Sequence, residues 1–322
     1  MEEAGKRTLA ALERRTALLA DRATTCCRLV NAAADGIDGF VLERFGDVLV
    51  AQLHEGRLAV NEGQARALCE TAMQRTQTTC VYRKFFPRDR SHAAAMDAQN
   101  QSPHPWIGNA APEEFEVVEA GVNYLIRPFD GYSVGLFLEN RANRRLVREI
   151  AKGADILNCF AYTCGFAVCA AMGRAASTVN VDVSKKYLEW GKRNFTANGL
   201  SLDNHWFIAS DVLEYYRRAE RQEKSFDLII LDAPTFGRAK ESGRVFSLKE
   251  HLGELIFGAM KLLRIGGQIL LSVNHRPTSI ARMESAIEEA SSGRNFYFED
   301  VPPLPVDFEG DEDFAKTVLV RA

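Results

Sequence analysis

What this 322-residue chain lacks already narrows what it can be. No apolar run approaches the roughly 18 to 20 residues a helix needs to cross a bilayer, so a membrane is not an expected partner. The seven cysteines are an odd number without a C-x-x-C pair, which argues against a disulfide framework and against a zinc site. Nor does any strand-like run lead into G-x-G-x-x-G, the pattern whose bare backbone lets a pyrophosphate approach. The start, Met1-Glu-Glu-Ala-Gly-Lys-Arg7, is charged with no apolar core behind it, unlike a secretory leader. A reducing, cytoplasmic compartment and a site without metal are the expectations that follow.

What is present describes an ordinary globular protein, with 46% apolar and 26% charged residues and enough chain for one large domain and a smaller one. The net charge of −3 does not suggest a nucleic-acid binder, but it is unevenly spread. Residues 299–313 hold seven acids and no base, so the remainder carries +4. The window 75–90 is locally +4, and Arg83-Lys-Phe-Phe-Pro-Arg-Asp-Arg90 interleaves cations with rings. Such a mixture can hold phosphates and stack bases, which makes Arg83, Lys84, Arg88 and Arg90 candidate RNA contacts. The competing reading is a solvated strand end with two core phenylalanines.

Two patterns meet near residue 127. Residues 1–127 read as a small α+β domain, with helices over 8–23 and 57–75 and strands at 27–30, 40–44, 48–53 and 79–85. Residues 87–112, rich in Ser, His, Asn, Gln and Pro, read as a long loop, and 115–118 with 123–126 as a hairpin across Ala120-Gly121. Over 128–322 short apolar strands at 155–158, 178–182, 205–209, 226–231, 267–273, 295–300 and 315–320 alternate with helices. That alternation predicts an α/β fold, a parallel sheet covered on both faces. The last strand should run antiparallel, because no helix separates it from the one before.

Ligands of such a sheet bind at the carboxyl ends of its strands, here supplied by Asn158 and Phe160, Asp182, Asp211, Asp232 and Asn274. Ile156-Leu-Asn-Cys-Phe-Ala-Tyr-Thr-Cys-Gly-Phe166 reads as a first strand turning tightly into a helix, and Val179-Asn-Val-Asp-Val-Ser184 as a second strand ending in an acid. An acid there accepts from ribose hydroxyls. With Gly165 in place of a phosphate cradle, an adenosine cofactor without a pyrophosphate fits, and S-adenosylmethionine is the common one. Asp182 is the ribose candidate and Asp211 the acceptor for the adenine amino group, and for each a helix N-cap is the competing reading. Cys159, Cys164 and Cys169 read as core packing, since a free cysteine behaves as a small buried hydrophobe. In Leu228-Ile-Ile-Leu-Asp-Ala-Pro-Thr-Phe236, Pro234 ends the ladder because it has no N–H. Asp232 can then accept from an amine, and Phe236 can stack on a planar base.

Several of these stretches resemble one family. Gly135-Leu-Phe-Leu-Glu-Asn-Arg141, the Leu157 to Gly165 turn, Leu188-Glu-Trp-Gly-Lys-Arg-Asn194 with Asn198-Gly-Leu200, and Asp232-Ala-Pro-Thr-Phe236 are similar to the bacterial 23S rRNA methyltransferases. The passage 35–47 also resembles that family's central domain, and the likeness covers about residues 26 to 320. It implies a class I S-adenosylmethionine-dependent methyltransferase domain over 128–322, with a Rossmann-like seven-stranded sheet, behind the small α+β domain. It implies 23S rRNA as substrate. The cofactor set then reads Arg141, Asn158, Phe160, Tyr162, Thr163, Gly165, Asp182, Val183, Ser184, Asp211, Val212 and Asp232, and the acceptor set Asp232, Pro234, Phe236 and Asn274.

Three departures from the family accompany the likeness. Many members begin with a PUA RNA-binding domain, where this chain has a short helix. Cys164 and Ala233 stand where the family has glycine and proline. Cytosine-C5 members carry a nucleophilic cysteine after the fifth strand, where this chain reads Leu271-Ser-Val-Asn-His275, and no cysteine stands near Asp232 in the sequence. Carbon 5 of cytosine is a poor nucleophile and needs a thiolate to attack the ring first. A ring nitrogen with a free lone pair, such as guanine N7, attacks the sulfonium directly. The Ser272-Val-Asn274 tract resembles the guanine-N7 branch, so that atom is the expected target, with Asn274 either holding the base edge or capping the strand. A cytosine-C5 relative, a small-molecule methyltransferase and an RNA-binding relative without catalysis stand as alternatives. The oligomeric state is open, a homodimer included.

Overall fold

The computed structural model describes residues 2–88, 100–238 and 245–322. They pack as two compact units, Met1–Arg141 with Leu304–Asp311, and Ala142–Pro303 with Glu312–Ala322.

In the first unit, two helices, α1 (Glu2–Arg14) and α2 (Thr16–Ala20), stand where a single one was expected over 8–23. The break falls at Arg15, whose buried guanidinium donates to the Asp35 carboxylate at 2.8 Å and to the Arg28 carbonyl at 3.0 Å. Three antiparallel strands follow, β1 (Cys26–Asn31), β2 (Phe40–Phe45) and β3 (Val48–His54). Gly46 takes a left-handed φ of +60° in the two-residue turn from Phe45 to Val48. Helix α3 (Glu62–Thr76) opens on a capping box, Asn61 and Gln64 exchanging side-chain-to-backbone bonds of 2.9 Å. It carries the chain across to β4 (Cys80–Phe86), which pairs parallel with β3. Within the expected loop lies β5 (Ile107–Gly108), paired with Cys80 and Val81, because two residues are too few to show a period. The hairpin of β6 (Phe115–Glu119) and β7 (Val122–Ile126) forms as read.

The acidic stretch acquires a part to play here. Asp307, fully buried, accepts from Arg141 Nη1 and from the Arg28 backbone N–H, both at 2.8 Å. Glu119 lies 3.4 Å from Arg141 Nε, and the Arg28 guanidinium sits 4.2 Å from the Phe308 ring centre. Desolvated charges of this kind stand only while both partners are present.

The second unit alternates almost as read. Its elements are α4 (Arg141–Ile150, whose first residue belongs to the first unit), β8 (Asp155–Cys159), α5 (Gly165–Met172), β9 (Ser177–Asp182), α6 (Lys185–Ala197), β10 (His205–Ala209), α7 (Val212–Arg221) and β11 (Phe226–Ala233). There follow β12 (Phe236–Arg238), β13 (Val245–Ser247), α8 (Leu248–Leu262), β14 (Leu263–Val273), α9 (Ile280–Ser291), β15 (Tyr297–Glu299) and β16 (Lys316–Arg321). Seven of the strands form one sheet in the order β10-β9-β8-β11-β14-β16-β15. Pairings are parallel except that β16 runs against both β14 and β15, the reversed last strand that the sequence predicts. Period-2 alternation sends Leu157, Val181, Ile229 and Leu271 to one apolar layer and Ile156, Leu228, Ile230 and Leu270 to the other. The chain moves outward from β8 to β10 and then restarts on its other side at β11, so the strand order reverses beside β8. Ligand crevices open at such reversals. Among the described residues, no helix is long and apolar enough to cross a membrane.

Candidate cofactor and acceptor site

The turn after β8 is built from strained backbone. Phe160, Tyr162 and Cys164 all take left-handed φ values, +55°, +47° and +61°. For residues with a side chain this costs on the order of 1–3 kcal/mol each, and it persists only where surroundings over-determine it. The surroundings are explicit. Ala161 N–H donates to Val181 O at 3.0 Å, Cys164 N–H to Ala161 O at 2.7 Å, and Asn194 Nδ2 to Thr163 O at 2.9 Å.

Asp182 joins this turn to the next. One carboxylate oxygen accepts from Tyr162 N–H and the other from Ser184 N–H, both at 2.8 Å. Ser184, and not Asp182, is the N-cap of α6, accepting from Tyr187 N–H at 3.3 Å. Burial raises the Asp182 pKa above the usual carboxylate range, and the two backbone N–H groups pull the other way. An ionised carboxylate has about four acceptor positions, so two remain on Asp182 for a ligand. The exposed Val183 stands beside it. Asp211 does cap its helix, accepting from Glu214 N–H at 3.1 Å, and Val212 is buried in the core.

Other cofactor candidates are engaged within the protein. Asn158 is buried and donates to Asn180 Oδ1 at 3.0 Å, beneath the turn. Thr163 is buried, and Gly165 starts α5. The Tyr162 ring packs edge-on to Tyr187 at 4.6 Å, and Phe160 lies 5.0 Å from Phe246. Arg141 belongs to the first unit, where its guanidinium is spent on Asp307, Glu119 and the Cys26 carbonyl.

At the acceptor end, β11 extends two residues past the expected limit, so Asp232 and Ala233 pair with Ser272 and Val273 before Pro234 stops the ladder. Phe236 then begins a ribbon the sequence did not reveal, β12 against β13, with Phe236 opposite Ser247 and 57% exposed. Phe246 in the same ribbon is buried against Phe160, which ties the ribbon to the turn after β8. Asn274 is exposed at the end of β14.

The fold does bring one cysteine beside Asp232, which the linear spacing hides. Cys159 pairs with Leu231 across β8 and β11. Its thiol, however, lies in the core 3.5 Å from Tyr216 Oη, and burial pushes its pKa up to about 12. All seven cysteines are buried. Among the described residues, no group of three or more His, Cys, Asp or Glu could hold a metal ion.

The basic window divides. Lys84, expected at the surface, lies in the interior: period 2 turns it inward with Tyr82, and it is 1% exposed, donating to Asn100 O at 2.5 Å. Burial lowers its pKa to about 8, so it is no surface phosphate contact. Arg83 pairs with Glu62 and lies 5.1 Å from the Trp106 ring centre. Arg88 is exposed, and Arg90 falls outside the described residues.

The pattern that defines S-adenosylmethionine-dependent methyltransferases matches residues 48–312. The chain belongs to that family. S-adenosylmethionine is therefore its cofactor, and the Asp182 carboxylate, with acceptor positions to spare beside exposed Val183, suits an adenosine. A methyltransferase of Erwinia tasmaniensis, named Ribosomal RNA large subunit methyltransferase I, is 31% identical over 243 residues, 76% of this chain and 59% of that one. Ribosomal RNA large subunit methyltransferase K of Neisseria meningitidis is 38% identical over 166 residues, 52% of this chain and 47% of that one. The methyltransferase thus spans about half to three fifths of the length of these relatives. Among solved structures, a protein assigned as a methyltransferase and crystallised with SAH superimposes with a TM-score of 0.86 at 27% identity, over 99% of this chain and 80% of that one.

Proposed function

We propose that this methyltransferase modifies a base of large-subunit ribosomal RNA, with guanine N7 as the acceptor atom and no covalent link between enzyme and RNA. The RNA part is supported by the relatives named for large-subunit rRNA. The acceptor atom is supported by one observation: Cys159, on the strand beside Asp232, is buried with its pKa pushed up to about 12, and the other cysteines are buried too, so no thiolate is at hand to attack a pyrimidine ring.

In this reading the Asp182 carboxylate accepts from the ribose hydroxyls, Val183 offers an apolar surface to the adenine, and Asp211 accepts from its amino group. Bound there, the cofactor supplies a methyl group on a positively charged sulfur. Phe236 stacks on the target base, while Asp232 and Asn274 accept from and donate to its edge. A ring nitrogen needs no proton removed, so these residues act by alignment and by excluding water. Arg141 is assigned to the Asp307 cluster rather than to the cofactor.

Methyl transfer from labelled cofactor to rRNA that lacks the modification tests the reading. Incorporation into a guanine supports it. Incorporation only into small molecules, or into none of these acceptors, refutes it.

A further inference from the structure

We infer that the first unit carries a base-stacking platform for single-stranded RNA at the carboxyl ends of β3 and β4, made by His54, Phe86 and Tyr132 and rimmed by Arg57 and Arg88. It rests on the RNA reading above and names the surface that meets the strand.

His54 and Phe86 are register partners and the last residues of their strands. Parallel pairing stacks their rings face against face, 4.5 Å apart and within 16° of parallel, so a base adds at an end of the stack. Tyr132 extends the row, 5.0 Å from Phe86, in a segment bounded by Gly131 and Gly135 at φ +90° and +119°. Phe85, one residue earlier, packs on the unit's core, so alternation turns Phe86 to the other face. All three residues of the row are half-buried. Burial, with the Arg28 and Arg57 guanidinium groups nearby, lowers the His54 pKa to about 4, so this ring is neutral at physiological pH.

The rim offers two guanidinium groups that can reach the phosphates of an RNA strand. Arg57 and Arg88 are both exposed, and Arg88 lies over Gly56, where an added Cβ would meet its Cδ at 3.0 Å. Two acids stand at this rim as well: Glu55, which accepts from Arg88 backbone N–H at 3.0 Å, and exposed Asp38, whose charge acts on His54. The other cations of the basic window point elsewhere, Arg83 to Glu62 and Lys84 into the interior. Sequence-tolerant stacking on aromatic side chains beside backbone-tracking cations is how single strands are held.

The test is fluorescence anisotropy of a labelled single-stranded RNA oligonucleotide across a salt series, with cofactor affinity by calorimetry as the control on folding. Tyr132→Leu should weaken RNA binding roughly 5- to 100-fold. Arg57→Ala with Arg88→Ala should flatten the slope of log affinity against log salt by about 1.4. Tyr132→Trp should retain affinity and show added fluorescence quenching on binding, which decides the matter should the leucine variant fold poorly. Cofactor affinity should be unchanged throughout. Variants that bind RNA like the unsubstituted protein, with no quenching, would overturn the platform alone. An unsubstituted protein that binds no RNA would overturn the platform together with the RNA reading beneath it.

Discussion

The Cys164 side chain fills the space that a side chain at position 191 would need: a Cβ added to Gly191 would come within 2.9 Å of Cys164 Cβ and closer still to its Sγ. The cysteine in the turn after β8 is thus matched by a glycine inside α6. Cys164 is fully buried, with its pKa raised well above the ordinary thiol value first by burial and then by Asp182. It is a packing residue, and the turn around it is intact.

Gly191→Ala should therefore push on the strained turn, lowering stability by about 1–3 kcal/mol and weakening cofactor binding. Adding Cys164→Gly should restore much of both, because the neighbours are in direct contact and their effects will not add. A double-mutant cycle read by thermal melting and calorimetry checks this. Additive losses would mean the two side chains do not share that space.

Asp182→Ala should weaken cofactor affinity at least tenfold, about 1.5–3 kcal/mol for a desolvated hydrogen-bonding carboxylate. Part of the loss comes from the Tyr162 and Ser184 amides it releases. The raised pKa adds a pH signature. Protonation removes the acceptor charge, so affinity should fall as pH drops through a value above the usual carboxylate range. Folding stability has the opposite sign, since ionising this group costs stability as pH rises through the same value. Calorimetry across pH should show the decline in the unsubstituted protein and none in Asp182→Asn.

Replacing each of the seven cysteines singly should leave methyl transfer largely intact, Cys159→Ala included. Acid-quenched reactions on denaturing gels should show no protein–RNA adduct. Loss of turnover at one cysteine, with the fold preserved, would restore a covalent route.

Asp307→Ala should shift the urea midpoint to lower concentration, with a loss of about 3–5 kcal/mol, because it takes from buried Arg141 the carboxylate it donates to and leaves it Glu119 and the Cys26 carbonyl. A midpoint unchanged from the unsubstituted protein would show that water reaches the cluster.

The sheet of the second unit was legible because its strands are apolar runs long enough to show a period, and its helices are separated by turn residues. The ribbon of β12 and β13 was not, since three residues per strand show none. Lys84 was readable in principle: period 2 puts it on the face of Cys80 and Tyr82, but the cations around it suggested a solvated strand. Gly191 carried a signal too, a helix-interior glycine that costs about 1 kcal/mol and so points to a close neighbour. Its partner, 27 positions away, needed the fold. Asp182 was placed correctly at its strand end, while its competing N-cap reading could be settled only by seeing Ser184 take that position.

The central claim is a one-step transfer from S-adenosylmethionine to a ring nitrogen of large-subunit rRNA. Labelled cofactor, rRNA from a strain lacking this protein, and mass mapping of the digested nucleosides test it most directly. The account predicts a single methylated guanine, with the methyl at N7. A 5-methylcytosine, or label that never enters the RNA, would contradict it.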